Sequence, residues 1–139
     1  MPFFLTRRVG FAAAHRYLRP DWNDERNAQV FGACARPNFH GHSYVCEVTV
    51  TGALDPDTGF VADLGVLDAV LEREVRARFD HANINLDVPE FAEGKLVPTG
   101  EELARFIAEH VQAGLGSGTR VVRVRVSEDA TLTATYEPD

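Results

Sequence analysis

The chain has 139 residues, 45% of them hydrophobic, with 21 acidic side chains against 14 basic ones and a formal net charge of -7. That length supports one domain with a real core, residues 1–139 together, and no apolar run approaches the roughly 20 residues that span a bilayer. The N-terminus lacks a signal-peptide layout, so a cytoplasmic protein is expected; the negative charge argues against nucleic acid as a partner, and Cys34 and Cys46 alone make no disulfide framework.

Phe3, Leu5, Val9, Phe11 and Ala13 alternate towards His15 and predict a strand over about residues 3–14. From Tyr17 to Asn38 the breakers Pro20, Asp21, Asn23, Asp24, Asn27, Gly32 and Pro37 interrupt any period, predicting a long loop with room for a short helix, which delivers Cys34 towards His40. Thirteen of the fourteen basic residues are arginine, and Arg7, Arg8, Arg16, Arg26 and Arg36 fall in this N-terminal third, where their planar forks suit either phosphate oxygens or a solvated surface.

His40-Gly41-His42 opens a second strand running to about Gly52, and its two-residue period puts both imidazoles on the face of Tyr44, Cys46, Val48 and Val50. After the breaker-rich turn Gly52 to Gly59, Asp63 is placed to cap a helix whose stripe is Leu64, Leu67, Val70, Leu71, Val75 and Phe79, ending just before Asp80-His81. Thr99 and Glu102 have capping-box spacing and open a second helix through Leu103, Phe106, Ile107, His110 and Val111 to Gly114. Val122, Val124, Val126 and Glu128 then share the parity of a third strand, and Leu132 to Tyr136 returns as its hairpin partner. The order ββααββ describes an α+β domain with its helices on one sheet face. Its open sheet edges motivate a homo-oligomer that closes a barrel.

If the first two strands pair, His15, His40 and His42 converge, and three neutral imidazoles without a fourth protein ligand are the catalytic form of a zinc site. Cys34 lies close to such a metal, where its thiolate either acts as a general base or completes a four-coordinate structural site. Cys46 reads as a small packing residue on the apolar face. Asp80-His81 stands where a helix stops, so its carboxylate either biases the imidazole towards accepting a proton or caps locally. Glu128 ends an apolar face and needs donors, which adjacent N–H groups on a guanidine-like edge, as in a pterin, would supply in pairs.

Phe11-Ala12-Ala13-Ala14-His15-Arg16, Cys34 through Tyr44, Leu54 through Gly59, Asp80-His81-Ala82-Asn83, Pro98-Thr99-Gly100-Glu101 and Glu128 stand in one order along nearly the whole chain. In that combination the sequence resembles the 6-pyruvoyltetrahydropterin synthase and 6-carboxytetrahydropterin synthase family. The resemblance implies the tunnelling fold: a four-stranded antiparallel sheet with two helices on one face, trimers that close a β-barrel, and two trimers stacked as a homohexamer with active sites between subunits. It further implies zinc on His15, His40 and His42, and Cys34 working as a catalytic residue with an Asp80-His81 pair from a neighbouring subunit. Glu128 would anchor the pterin ring, with Thr99 and Glu101 as a second contact region.

The implied reaction is conversion of 7,8-dihydroneopterin triphosphate to 6-pyruvoyltetrahydropterin, with Cys34 moving protons between carbon and oxygen and triphosphate eliminated. Five residues separate Cys34 from His40, as in the pyruvoyl-forming enzymes. The carboxy-forming enzymes of queuosine and deazapurine synthesis more often have a shorter gap, and they are the alternative on the same substrate. A non-catalytic zinc- or pterin-binding module is another. Gly100 departs from the hydroxyl residue that the family commonly has at this place.

Overall fold

The alternating first segment forms β1 (Leu5–His15), antiparallel over its whole length to β2 (His40–Gly52), in a computed structural model that describes residues 2–139. Leu5 stands opposite Val50 and His15 opposite His40, so the two segments meet in register at the histidine end. Burial follows the same direction: Leu5 and Val9 are half-buried, whereas Phe11, Ala13 and His15 are buried.

The segment between these strands contains α1 (Asp24–Phe31) and a 3-10 turn, Gly32–Ala35. Asn23 caps α1 by accepting from the Arg26 N–H at 2.8 Å. Buried Asn27 fastens the preceding loop, accepting from the Arg19 N–H at 2.8 Å and donating to the Arg19 carbonyl at 3.0 Å.

Asp63 accepts from the Val66 N–H at 3.1 Å and starts α2 (Leu64–Leu71), which continues through a π-type turn, Glu72–Arg76, into α3 (Ala77–Phe79). Leu67, Leu71, Val75 and Phe79 recur every four residues and are all buried. On a helix of about 3.6 residues per turn that spacing drifts around the axis, and the wider π turn brings the last two back over the core.

The chain then makes β3 (Ala82–Asn83), α4 (Ile84–Asp87), a 3-10 turn at Pro89–Phe91, α5 (Gly100–Gly114), β4 (Thr119–Asp129) and β5 (Leu132–Tyr136). Thr99 caps α5 by accepting from the Glu102 N–H at 3.2 Å, but the return half of the capping box is not formed, because the Glu102 carboxylate takes the Arg105 guanidinium instead.

The sheet order is β3-β1-β2-β4-β5, and its four long strands are antiparallel neighbours. The expected purely antiparallel four-stranded sheet is corrected to a mixed five-stranded one, since Ala82 pairs with Ala13 and Asn83 with Ala14 in parallel on the free edge of β1. Thr49 faces Arg123 while Val50 faces Val121, so Val122 is the extra residue of a bulge and Val121 takes the core position expected for Val122. Beyond the bulge the parity of Val124, Val126 and Glu128 holds, and all three are buried. Helices and sheet enclose one core through Phe11, Tyr44, Val48, Val124, Leu67, Phe79, Leu103 and Ile107. No described helix is long and apolar enough to cross a membrane.

Candidate active site

The register of β1 and β2 sets His40 opposite His15 and Ala13 opposite His42, and alternation turns all three imidazoles to one face. Ring centroids are 4.6 Å apart for His15 and His40, 5.1 Å for His15 and His42, and 5.0 Å for His40 and His42. One ring nitrogen from each lies within 4.8 Å of the others. His15 is completely buried, and with Nδ1 protonated it donates to the Pro98 carbonyl at 2.8 Å, leaving Nε2 with its lone pair. The Tyr44 hydroxyl lies 3.0 Å from Nδ1 of the same ring.

Burial, chiefly, lowers the His15 pKa from 6.5 to about 4; the Pro98 hydrogen bond opposes the shift, and the charges of His40 and His42 add to it. His40 is lowered as well, by burial first and His42 second. A metal requires neutral imidazole, and this environment supplies it. Nε2 of His42 is buried without a hydrogen-bond partner, the nearest carboxylate oxygen of Glu128 being 3.8 Å away. An orphaned imidazole nitrogen beside two others fits a divalent metal with nitrogen preference.

Cys34 sits half-buried in the 3-10 turn, and its carbonyl accepts from the Tyr17 N–H at 2.8 Å. The pKa values of Tyr17 and Tyr44 are raised, first by burial and then by Glu128. Cys46 is fully buried in the core, and burial pushes its thiol up to about 12, consistent with packing. Arg16 donates to the Ala35 carbonyl at 2.6 Å, within the same turn.

Glu128 is 8% exposed, and the Tyr17 hydroxyl donates to its Oε1 at 2.7 Å. A cavity of about 440 Å³ is lined by Tyr17, Thr99, Gly100, Glu101, Val126, Glu128 and residues 132–134 of β5. The structure thus brings Thr99, Glu101 and Glu128 to one space beside the histidines. The Thr99 Oγ1 is already engaged by the cap of α5. A larger cavity, about 540 Å³ around Asp55, Phe60 and Asp63, contains no histidine or cysteine.

Asp80 and His81 lie elsewhere. Their side chains meet at 3.0 Å, His81 with 85% of its side chain exposed and a φ of 60°, in the left-handed region. Two hydrogen bonds tie the pair to β1: the His81 N–H donates to the Ala12 carbonyl at 2.6 Å and the Ala12 N–H to Asp80 Oδ1 at 2.9 Å. The Ala12 N–H is the main reason that the Asp80 pKa is lowered, with His81 second. Among the described residues no hydrogen bond or ion pair joins this dyad to Cys34 within one chain. Tyr17, the Tyr44 hydroxyl and the Pro98 carbonyl join the site without having been candidates in the sequence. For Tyr44 a signal was available, since it shares the strand face of His42; the other two lie in segments without a period.

The family described as 6-pyruvoyl tetrahydropterin synthase matches residues 4–139. A 6-pyruvoyl tetrahydrobiopterin synthase of Homo sapiens is 40% identical over 124 residues, covering 89% of this chain and 83% of its own. A 6-carboxy-5,6,7,8-tetrahydropterin synthase of Bacillus subtilis is 34% identical over 141 residues, covering 98% of this chain and 86% of its own. The solved structure of Caenorhabditis elegans 6-pyruvoyl tetrahydropterin synthase aligns with a TM-score of 0.92 at 30% identity, covering 100% of this chain and 97% of that one.

Proposed function

The chain belongs to the 6-pyruvoyl tetrahydropterin synthase family, and we propose that it is a carbon–oxygen lyase converting 7,8-dihydroneopterin triphosphate to 6-pyruvoyltetrahydropterin with elimination of triphosphate. The observation that carries this reading is the convergence of His15, His40 and His42 beside a cavity that ends on buried Glu128.

His15, His40 and His42 would hold zinc, which when bound supplies a Lewis acid that makes the substrate's side-chain hydroxyls more acidic. The three histidines converge without Cys34, which supports an open catalytic site over a four-ligand structural one. Glu128 accepts adjacent N–H groups from the guanidine-like edge of the pterin, and Glu101 and Thr99 flank the ring. Cys34 takes a proton from the side-chain carbon beside the ring, and the electron pair of that C–H bond passes into the ring C=N bond, whose nitrogen is protonated, so that the ring is reduced as the side chain is oxidised. The Asp80-His81 pair reaches this thiol from a neighbouring subunit, in a barrel of trimers stacked as a hexamer, and the single domain works in the cytoplasm.

Product analysis tests the proposal. Purified zinc-loaded protein incubated with dihydroneopterin triphosphate is expected to release triphosphate and 6-pyruvoyltetrahydropterin. A 6-carboxy product would move the chain to the activity named for the Bacillus subtilis relative, and no triphosphate release would sink both readings.

A further inference from the structure

Tyr17 lies at the start of the stretch that has no sequence period, yet in the fold it meets two of the three histidines, the Cys34 turn and Glu128. Its backbone N–H donates to the Cys34 carbonyl at 2.8 Å. Its ring stands edge-on to His15 at 4.9 Å and to His40 at 6.4 Å between centroids, with Phe31 at 5.8 Å on another side. Its hydroxyl donates to Glu128 Oε1 at 2.7 Å and borders the cavity shared with Thr99 and Glu101.

A carboxylate buried as deeply as Glu128 needs donors, and among the described residues the Tyr17 hydroxyl is its one hydrogen-bond donor. The other oxygen, Oε2, is 3.8 Å from His42 Nε2, beyond hydrogen-bond reach. Without the phenol, no other hydrogen bond among the described residues fixes the orientation of the carboxylate. We propose that Tyr17 is a positioning residue that holds Glu128 in the orientation that receives the pterin ring. This rests on the reading of Glu128 as ring anchor. A carboxylate offers about four lone-pair positions, so one phenolic donor leaves room for two ring N–H groups. Because the same residue is tied to the Cys34 carbonyl, it also sets the anchored ring in register with the Cys34 turn.

The test compares zinc-loaded wild type, Tyr17→Phe, Glu128→Gln and the double variant. Affinity is read by fluorescence with 7,8-dihydroneopterin as probe, and KM and kcat are read with the triphosphate. Tyr17→Phe is expected to raise Kd and KM about tenfold, with a smaller fall in kcat and unchanged zinc content. In the Glu128→Gln background the same change is expected to cost less than about twofold, because its effect passes through the carboxylate. An unchanged Kd for Tyr17→Phe, or an equal loss in both backgrounds, would overturn the inference. So would a loss with Tyr17→Leu but not with Tyr17→Phe, which would assign only the ring. A wild type that neither binds the probe nor releases triphosphate would remove the parent reading and this inference together, an outcome distinct from normal wild type with normal Tyr17→Phe.

Discussion

At the scale of single residues, His15 couples the site to stability. Its folded pKa is lowered to about 4 by burial, whereas the unfolded chain takes up its proton near 6.5. Between those values the unfolded state binds more protons, so stability is complete above pH 6.5 and falls as the pH drops towards 4, by at most ~3 kcal/mol from this group. Urea midpoints of metal-stripped protein are expected to drop across that window, and His15→Gln should remove this component while leaving the carboxylate contribution. A wild-type profile no steeper than that of the variant would contradict the assignment. Cys34 makes a second prediction. Cys34→Ala should keep its zinc while turnover falls at least ~100-fold, as expected for a lost proton-transfer group; joint loss of metal and stability would show a structural ligand instead. The three histidines and Glu128 were legible in the sequence because strand alternation needs only local spacing. Tyr17 was not, because its contact joins the chain just beyond β1 to Glu128 of β4, 111 residues away in the sequence.

Elements were legible in proportion to the apolar stripe that they bury. The α2 segment and α5 carry such stripes and lie where the spacing puts them, whereas α1 buries only Asn27 and shows no stripe to find. β3 is two residues long, too short to carry a period, and the β4 bulge flips parity without any mark at Val122. One close approach at the end of β2 yields a test. A Cβ on Gly52 would stand 2.7 Å from the carbonyl oxygens of Gly118 and Val61, both backbone atoms that cannot rotate away. Gly52→Ala is therefore expected to cost ~1–3 kcal/mol in denaturant unfolding. Gly116→Ala, where a Cβ meets nothing within 4 Å, should be neutral or slightly stabilising. Equal effects at the two positions would mean that the β2 end yields to the added carbon.

The whole molecule has two sheet edges, and each carries part of the proposed chemistry. At one edge β5 lines the cavity of Glu128 through Leu132, Thr133 and Ala134; at the other, the Asp80-His81 pair hangs on β1 beside β3, with His81 facing outwards. A head-to-tail ring that joins the β5 edge of one chain to the β1–β3 edge of the next would bring the dyad of one subunit towards the cavity of its neighbour, and it would leave no strand edge unpaired. This arrangement has a consequence that a self-contained subunit does not. Cys34→Ala and His81→Ala should each be inactive alone, but refolding them together in equal amounts should restore activity. A site is competent when its Cys34 comes from the His81 variant and its His81 from the Cys34 variant, so random assembly restores about one quarter of the sites. Assembly is checked by solution mass, which should exceed that of a monomer, and exchange by tagging one variant. Mixed assemblies that remain inactive despite verified exchange would argue against sharing of the site between chains, whereas recovery in proportion to the mixed fraction would require that one site draw residues from two chains.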